Sequence, residues 1–211
     1  MKLAIFTCNP FEENCYIVHG ADGSDAAIVD PGMMAESERD HVAQYITAHS
    51  LNVKYILLTH CHIDHVASAD WAAQHYGAPV MGSADDLYLV DRLAEQVQRF
   101  HLNIDVPTFS LDRELTDGEQ FTLNGETVKV IATPGHSRGS ISFYLPDTNA
   151  VLTGDTLFAQ SMGRTDLPGG DLHTLLHSIR QRLLTLPTDT LVVPGHSQPT
   201  TILAEQPLYA T

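Results

Sequence analysis

The sequence predicts an α/β fold in which two sheets pack face to face and helices cover their outer sides. Short strand patterns alternate with amphipathic helical patterns along the 211 residues. Each half of the chain repeats a scheme of antiparallel strands with covering helices, and no linker separates the halves. Because such layers bury their apolar faces against one another, we expect the halves to pack together. They would then form one domain that spans residues 1–211.

The first half begins with three strands that are separated by turns containing proline or glycine. Helices are expected where apolar residues recur on one face, as Val42 and Ile46 do. The expected strands cover residues 2–7, 14–19, 25–30, 53–59 and 79–81, and the expected helices cover residues 37–50, 68–76 and 83–101.

The second half opens with a hairpin, because Asn124-Gly125 is a strong signal for a two-residue turn. A helix follows Asp171, which is a favourable N-cap residue and precedes apolar positions on one helical face. The expected strands of this half cover residues 119–123, 126–132, 140–145, 150–153 and 190–193.

The composition is acidic, with 26 Asp and Glu against 11 Lys and Arg, and a formal net charge of −15. Nucleic acid is therefore not an expected partner, because phosphate contacts require clustered Lys and Arg. No apolar run approaches the about 18 residues that a membrane-spanning helix needs, and the N-terminal run is too short for a signal peptide. The three cysteines lack C-x-x-C spacing, which is typical of reduced thiols in a cytoplasmic protein. The oligomeric state stays open.

The segment THCHIDH, residues 59–65, follows an expected strand. In an extended strand, side chains at i and i+2 face the same way. His60 and His62 can therefore face one point in space, while Cys61 faces away. Asp64 and His65 are adjacent, so the chain must turn there and aim them at a neighbouring point. The segment predicts two half-sites side by side.

Three other expected strands end in a tight turn that carries one residue able to bind metal. His136 and His196 each follow a Pro-Gly turn, and Asp155 follows a glycine. Strand ends at one edge of a sheet are where functional sites are commonly built. If Asp155 gives one carboxylate oxygen to each of two metals, each metal has three protein ligands. Three ligands and one open position are typical of catalytic zinc.

The combination of H-x-H-x-D-H, P-G-H, T-G-D and a second P-G-H resembles the metallo-β-lactamase-fold hydrolases over essentially the whole chain. The resemblance implies a four-layer αββα sandwich with a dinuclear metal site at the sheet edges. It also implies that Asp155 bridges the metals and that Asp64 and Asp155 are the catalytic carboxylates. By position, the first metal would be held by His60, His62 and His136, and the second by Asp64, His65 and His196.

Within that superfamily, the sequence is most similar to small bacterial glyoxalase II-like proteins. The similarity rests on NPFEENCYIV near the start, VDPG at residues 29–32 and GRTDLPGGD at residues 163–171. It implies that Asp30 lies beside the metals and supports a ligand; an ordinary turn aspartate is the alternative. Larger glyoxalase II enzymes carry a helical C-terminal domain that helps bind glutathione. This chain ends 15 residues after His196, so that domain is not expected.

The stretch around Arg164 departs from the pattern of the larger enzymes. There, a basic residue followed two positions later by an aromatic residue contacts glutathione. Here Arg164 keeps the base, but Asp166 replaces the aromatic residue. Arg164 either binds a substrate carboxylate or pairs internally with Asp166, and the identity of the thiol stays open.

The resemblance implies a hydrolase of small 2-hydroxyacyl thioesters such as S-lactoylglutathione. Metal-bound hydroxide is a nucleophile at neutral pH, and a thiol with a pKa of about 8.5 leaves with little protonation. We expect two divalent metals, zinc foremost, with iron or manganese as alternatives because His and Asp suit all three.

Several other functions are less favoured by the sequence. A persulfide dioxygenase shares the H-x-H-x-D-H and GRTD stretches but uses one iron, and it is the main rival. A lactonase or another small-ester hydrolase is a lesser one, since a lactonase would show a tyrosine beside Asp155. The commonest antibiotic β-lactamases carry cysteine at the position of Asp155. A non-catalytic metal-binding protein disagrees with the open coordination position.

Overall fold

The first sheet is assembled in chain order, with helices on its outer face. The computed structural model describes residues 1–209, so residues 210–211 of the expected domain lie outside the described residues. The strands of this sheet are Lys2–Cys8 (β1), Glu13–His19 (β2), Asp25–Val29 (β3), Asn52–Leu57 (β4), Val80–Gly82 (β5) and Arg113–Glu114 (β6). The helices of this half are Glu36–Ala48 (α1), Ile63–Val66 (α2), Ala69–Tyr76 (α3), Leu87–Val90 (α4) and Leu93–Arg99 (α5).

The second sheet contains the predicted hairpin and the later strands. Its strands are Gln120–Leu123 (β7), Glu126–Ala132 (β8), Ile141–Leu145 (β9), Ala150–Gly154 (β10), Leu191–Pro194 (β13) and Thr200–Thr201 (β14). A small hairpin of Leu157–Phe158 (β11) and Ser161–Met162 (β12) stands apart, and the helices are Leu172–Ser178 (α6), which a π-helical turn extends over Ile179–Leu183, and Ile202–Tyr209 (α7). The order across the sheet is β14-β13-β10-β9-β8-β7.

Alternation of side chains along the strands sorts the apolar residues into three layers. In β4, Ile56 belongs to the cluster under α1, whereas Leu57 belongs to the cluster between the two sheets. In β10, Leu152 joins the cluster between the sheets, and Val151 packs on the other side with residues of α6. The order helix–sheet–sheet–helix confirms the expected four-layer αββα sandwich. Among the described helices, none combines the length and the apolar composition that crossing a membrane requires.

The single helix predicted over residues 83–101 is wrong. The structure instead has a 3-10 turn, Ala84–Asp86, followed by the short helices α4 and α5. The side chain of Gln96 donates to the Leu89 carbonyl at 3.1 Å, which satisfies one of the carbonyls that the end of α4 leaves without a helical partner. Several short elements also lie outside the prediction: α2, α7, β6, β11, β12 and β14.

The strands that carry the motif residues end at one common edge. β9 runs antiparallel to both β8 and β10, and β13 runs parallel to β10. The strands β8, β10 and β13 therefore point the same way. The end of β4 is tied to this edge, because the Ile141 amide donates to the Thr59 carbonyl at 2.8 Å. The turns after all four strands meet where the two sheets abut.

Candidate metal centre

Glycine in the strand-end turns is required by close packing. At Gly135, where φ is +131°, a Cβ atom would collide with the backbone of Leu175 on α6. At Gly195, a Cβ atom would lie 2.5 Å from Asp155 Oδ1 and 2.7 Å from His65 Cε1. Only glycine lets the two P-G-H turns approach the helix and the cluster this closely. The motif glycines therefore bring His136 and His196 to the other polar residues.

The H-x-H-x-D-H segment divides its side chains as the sequence predicts. Cys61 is 1% exposed and lies within the apolar cluster of the first sheet. His60 and His62 lie on the other side, and the short helix α2 begins directly after His62. The His65 amide donates to the His62 carbonyl at 3.0 Å, which closes the turn into that helix. The turn aims Asp64 and His65 beside the first two histidines.

All seven residues expected to bind metal converge. His60, His62 and His136 form one group whose potential ligand atoms lie within 4.8 Å of one another, and a second group of this kind contains Asp64, His65 and His196. Asp155 lies between the groups. Its Oδ1 is 3.3 Å from His65 Nε2, and its Oδ2 is 3.4 Å from His136 Nε2 and 3.6 Å from His196 Nε2. One carboxylate therefore reaches both groups, as a bridging ligand must.

Four of the five histidines have Nδ1 engaged outside the cluster. His65 Nδ1 donates to Asp30 Oδ2 at 3.0 Å, His136 Nδ1 to the Arg164 carbonyl at 2.8 Å, and His196 Nδ1 to the Phe11 carbonyl at 3.0 Å. The remaining contact of this kind joins His60 Nδ1 to Thr59 Oγ1 at 3.2 Å. With the proton on Nδ1, each ring turns the Nε2 lone pair into the cluster, which is how metal-binding histidines are commonly oriented.

The group formed by His60, His62 and His136 has the character of neutral metal ligands. In His62 it is Nδ1 that faces the group, because this atom lies 2.8 Å from His136 Nε2. The Nε2 atom of His60 is fully buried and has no hydrogen-bond partner. Burial, reinforced by neighbouring histidines, lowers the pKa of His62 to about 3 and that of His60 well below its usual value. Buried lone pairs without donors are costly, and a metal cation would satisfy them.

The second group carries the compensating charge. Burial opposes a negative charge on Asp155, but His65 and His136 hold the pKa of Asp155 well below its usual range. Burial also opposes a charge on His65, but Asp155 and Asp64 raise the pKa of His65 well above its usual value. The two carboxylates therefore favour positive charge at this group. A divalent cation can supply that charge in place of a proton, so the donor set fits metal.

Asp30 occupies the supporting position that the resemblance implies. Its carboxylate is buried and accepts from the Thr59 amide at 2.7 Å, from the Thr59 hydroxyl at 2.6 Å and from His65 Nδ1. Such a carboxylate fixes the orientation and the tautomer of a histidine ligand. Asp30 also lies close enough to His60 and His65 to form a third group of potential ligands.

Two buried acids near the cluster are absent from the sequence-based prediction. Asp86 accepts from the Cys61 amide at 3.0 Å, from the Ser137 hydroxyl at 2.7 Å and from the Gly139 amide at 2.6 Å. Glu13 is fully buried, accepts from the Cys8 thiol at 3.1 Å, and its pKa is raised well above its usual value by burial. No sequence spacing points to either residue, because both lie outside the motifs that carry the proposed ligands.

The cluster forms the floor of a cleft of about 360 Å³. The metal-binding candidates His62, His136 and His196 border it together with both motif carboxylates. Its walls are largely apolar and are formed by Phe11, Phe100, Phe158, Met162 and Leu167. A larger depression of about 510 Å³ lies elsewhere on the surface, but none of the seven residues borders it. The positions of the candidate ligands therefore favour the smaller cleft as the candidate functional site.

Arg164 borders the cleft but is paired with Asp166. Its Nε and Nη2 atoms donate to the two carboxylate oxygens of Asp166, both at 2.7 Å. The pair is exposed, and Arg164 holds the pKa of Asp166 at about 2. This is the internal pair that the sequence offered as the alternative to substrate binding.

Replacing Cys61 by alanine should leave the metal content unchanged. The thiol is buried in the apolar cluster, and burial raises its pKa well above its usual value, so a thiolate ligand is disfavoured. Losing the sulfur should lower the free energy of unfolding by about 1 kcal/mol. Elemental analysis and urea unfolding would measure both effects. Cys15→Ala, at another buried cysteine of that cluster, is the matched control. Loss of one metal from a folded Cys61→Ala protein would identify Cys61 as a ligand.

Comparisons with known proteins agree with this geometry. The family model described as the Metallo-beta-lactamase superfamily matches residues 8–196. Hydroxyacylglutathione hydrolase GloC of Haemophilus influenzae is 40% identical over 209 residues, covering 98% of this chain and 95% of that protein. The structure of BLEG-1 B3 metallo-beta-lactamase is 32% identical with a TM-score of 0.89, covering 98% of this chain and 97% of the other. The structure of TTHA1623 in a di-iron-bound form is 36% identical with a TM-score of 0.83, covering 96% of both chains.

Proposed function

This chain belongs to the metallo-beta-lactamase superfamily, and we propose that it is a metal-dependent hydrolase of small 2-hydroxyacyl thioesters such as S-lactoylglutathione. The observation that carries the proposal is the convergence of two groups of ligands, joined by Asp155, at the floor of an apolar cleft. The similarity to hydroxyacylglutathione hydrolase GloC supports the same reaction class.

The proposed ligands are the six residues of the two groups and the shared Asp155. When bound, the metals supply a hydroxide nucleophile at neutral pH and a Lewis acid for the carbonyl oxygen. Zinc suits this set of His and Asp ligands, and iron suits it as well, in keeping with the di-iron-bound form of the TTHA1623 structure. Both metals therefore belong in the test.

The protein's own residues orient the reaction. Asp30 holds His65 through Nδ1, and the Arg164 carbonyl holds His136 in the same way, so neither ring can rotate away from the cluster. The apolar walls, Phe11 and Phe158 among them, exclude bulk water from the cleft. A thioester suits such a site, because its thiolate leaves with little need for a general acid. Neither lysine nor tyrosine, which could serve as a general acid, is among the described residues that line the cleft.

A second candidate function is β-lactam hydrolysis, which the similarity to BLEG-1 favours. The persulfide dioxygenase that shares the sequence motifs is the oxidoreductase rival. The three activities differ in their products: a free thiol, an opened lactam ring, or consumed oxygen. One purified protein can be tested for all three.

Protein purified without chelators should contain two metal ions per chain by elemental analysis. Loaded with zinc, iron or manganese in separate preparations, it should release thiol from S-lactoylglutathione. His196→Ala should lose one metal and most of this activity, because His196 belongs to the second group. His173→Ala, at an exposed histidine of α6, is the matched control and should behave as the unaltered protein.

Two further assays use the same preparations. A chromogenic cephalosporin reports lactam opening, and an oxygen electrode with glutathione persulfide reports dioxygenase activity. A single tightly bound iron together with oxygen uptake and no thiol release would overturn the hydrolase proposal. Faster opening of the cephalosporin than cleavage of the thioester would replace the proposed substrate class.

A further inference from the structure

A smaller pocket of about 110 Å³ adjoins the cleft. The two cavities share His62, Gln96, Phe100 and Leu167 in their linings, so they lie side by side next to the first ligand group. Apolar side chains line much of both cavities. The smaller pocket adds three charged residues of the α4–α5 region, Arg92, Glu95 and Arg99.

The arginines that line the two cavities differ in whether they have an acidic partner. Arg92 Nε pairs with Glu95 at 3.0 Å, and Arg164 at the cleft pairs with Asp166 through two hydrogen bonds. Arg99 is exposed, and within residues 1–209 its guanidinium has neither a hydrogen bond nor an ion pair. The pKa of Asp166 is lowered mainly by Arg164, and Arg99 adds only a small electrostatic contribution without a direct contact. Among the described residues, Arg99 is thus the one arginine lining these cavities that lacks an acidic partner.

We propose that Arg99 binds an anionic group, most simply a carboxylate, on the thiol half of the substrate. The inference rests on the proposed thioesterase function. A 2-hydroxyacyl group is neutral, so an anion can enter only with the thiol. The planar guanidinium suits a carboxylate, because it can donate two parallel hydrogen bonds. A cation beside the cleft also favours the approach of an anionic substrate to a chain of net charge −15.

The same argument assigns different roles to Arg99 and Arg164, which border the two neighbouring cavities. Arg164 must break two hydrogen bonds to Asp166 before it can receive a substrate carboxylate. Arg99 has no such bond to break, so it is the better placed recognition group. Gln96 and Phe100 lie where the two cavities meet, and the thiol chain would pass them on its way from the cleft to Arg99.

Arg99→Ala should raise KM for S-lactoylglutathione by about 5- to 20-fold and leave kcat unchanged, as for a hydrogen bond to a charged group at a partly exposed site. For the diethyl ester of S-lactoylglutathione, in which both carboxylates are esterified, KM should change less than about 2-fold. Arg99→Lys should recover part of the loss, because it restores the charge but not the paired donors. Lys54→Ala removes an exposed positive charge from β4, borders neither cavity, and should change neither substrate's kinetics.

A binding measurement separates this proposal from the thioesterase proposal. S-methylglutathione has no thioester bond, so calorimetry reports its affinity whether or not the protein hydrolyses S-lactoylglutathione. Weaker binding to Arg99→Ala than to Lys54→Ala supports the subsite even if no thiol is released in the activity assay. Equal binding to both variants, or an equal rise in KM for the acid and the diester, would overturn it. A phosphate monoester thiol that loses more affinity than S-methylglutathione would identify phosphate as the anion instead.

Discussion

Asp155→Asn is expected to remove metal from both ligand groups and to lower kcat/KM by more than about 100-fold. Losing a residue that only supports a metal ligand already costs about 10–100-fold in affinity or activity, and Asp155 reaches histidines of both groups. Asparagine keeps the volume of the side chain but removes its negative charge. It also offers only one oxygen where two are used. Elemental analysis of the purified variant and thiol release from S-lactoylglutathione would measure the two losses.

The control for this experiment is Asp166→Asn, which removes an exposed carboxylate that pairs with Arg164. It should retain the full metal content, because Asp166 contacts none of the histidines in the cluster. Circular dichroism should show both variants folded, since the apolar layers do not involve either carboxylate. An Asp155→Asn protein that keeps two metals would contradict the bridging role.

The positions of the proposed ligands follow from local rules that sequence carries directly. Alternation along an extended chain separates His60 and His62 from Cys61, and the structure buries Cys61 in the apolar cluster on the other side. The glycine turns that follow β8 and β13 place one histidine each at the sheet edge. These patterns span a few residues, so they can be recognised without knowing how the strands are ordered.

The residues that support the site could not be predicted in the same way. Asp86 lies in a 3-10 turn but accepts from the Cys61 amide inside one motif and from the Gly139 amide after another. Its role therefore depends on contacts across 25 and 53 residues of sequence. Arg99 lines a pocket as a residue of α5, which is a separate short helix where the sequence predicts one continuous helix over residues 83–101. The Arg164–Asp166 pair was one of two alternatives, and only the side-chain geometry distinguishes them.

Asp86→Ala is expected to lower both the stability of the fold and the affinity for metal. The carboxylate is fully buried and ties the Cys61 amide, between two proposed ligands, to the loop that follows His136. Burial raises the pKa of Asp86, and its hydrogen bonds, that from Ser137 foremost, offset part of this rise. Alanine would leave two buried amides without acceptors, at a cost of about 2–5 kcal/mol in the free energy of unfolding.

The effect on metal binding separates positioning from mere structural support. Because the loop of His60 and His62 and the loop of His136 share Asp86 as an anchor, metal affinity should fall about 10- to 100-fold even at temperatures where the variant is fully folded. Asp86→Asn keeps one acceptor oxygen, so its stability and metal affinity should lie between those of Asp86→Ala and those of the unaltered protein. Asp85→Ala, at the exposed neighbouring aspartate, should match the unaltered protein in urea unfolding and in metal titration. If Asp86→Ala unfolds earlier but binds metal with unchanged affinity, Asp86 stabilises the fold without positioning the ligands.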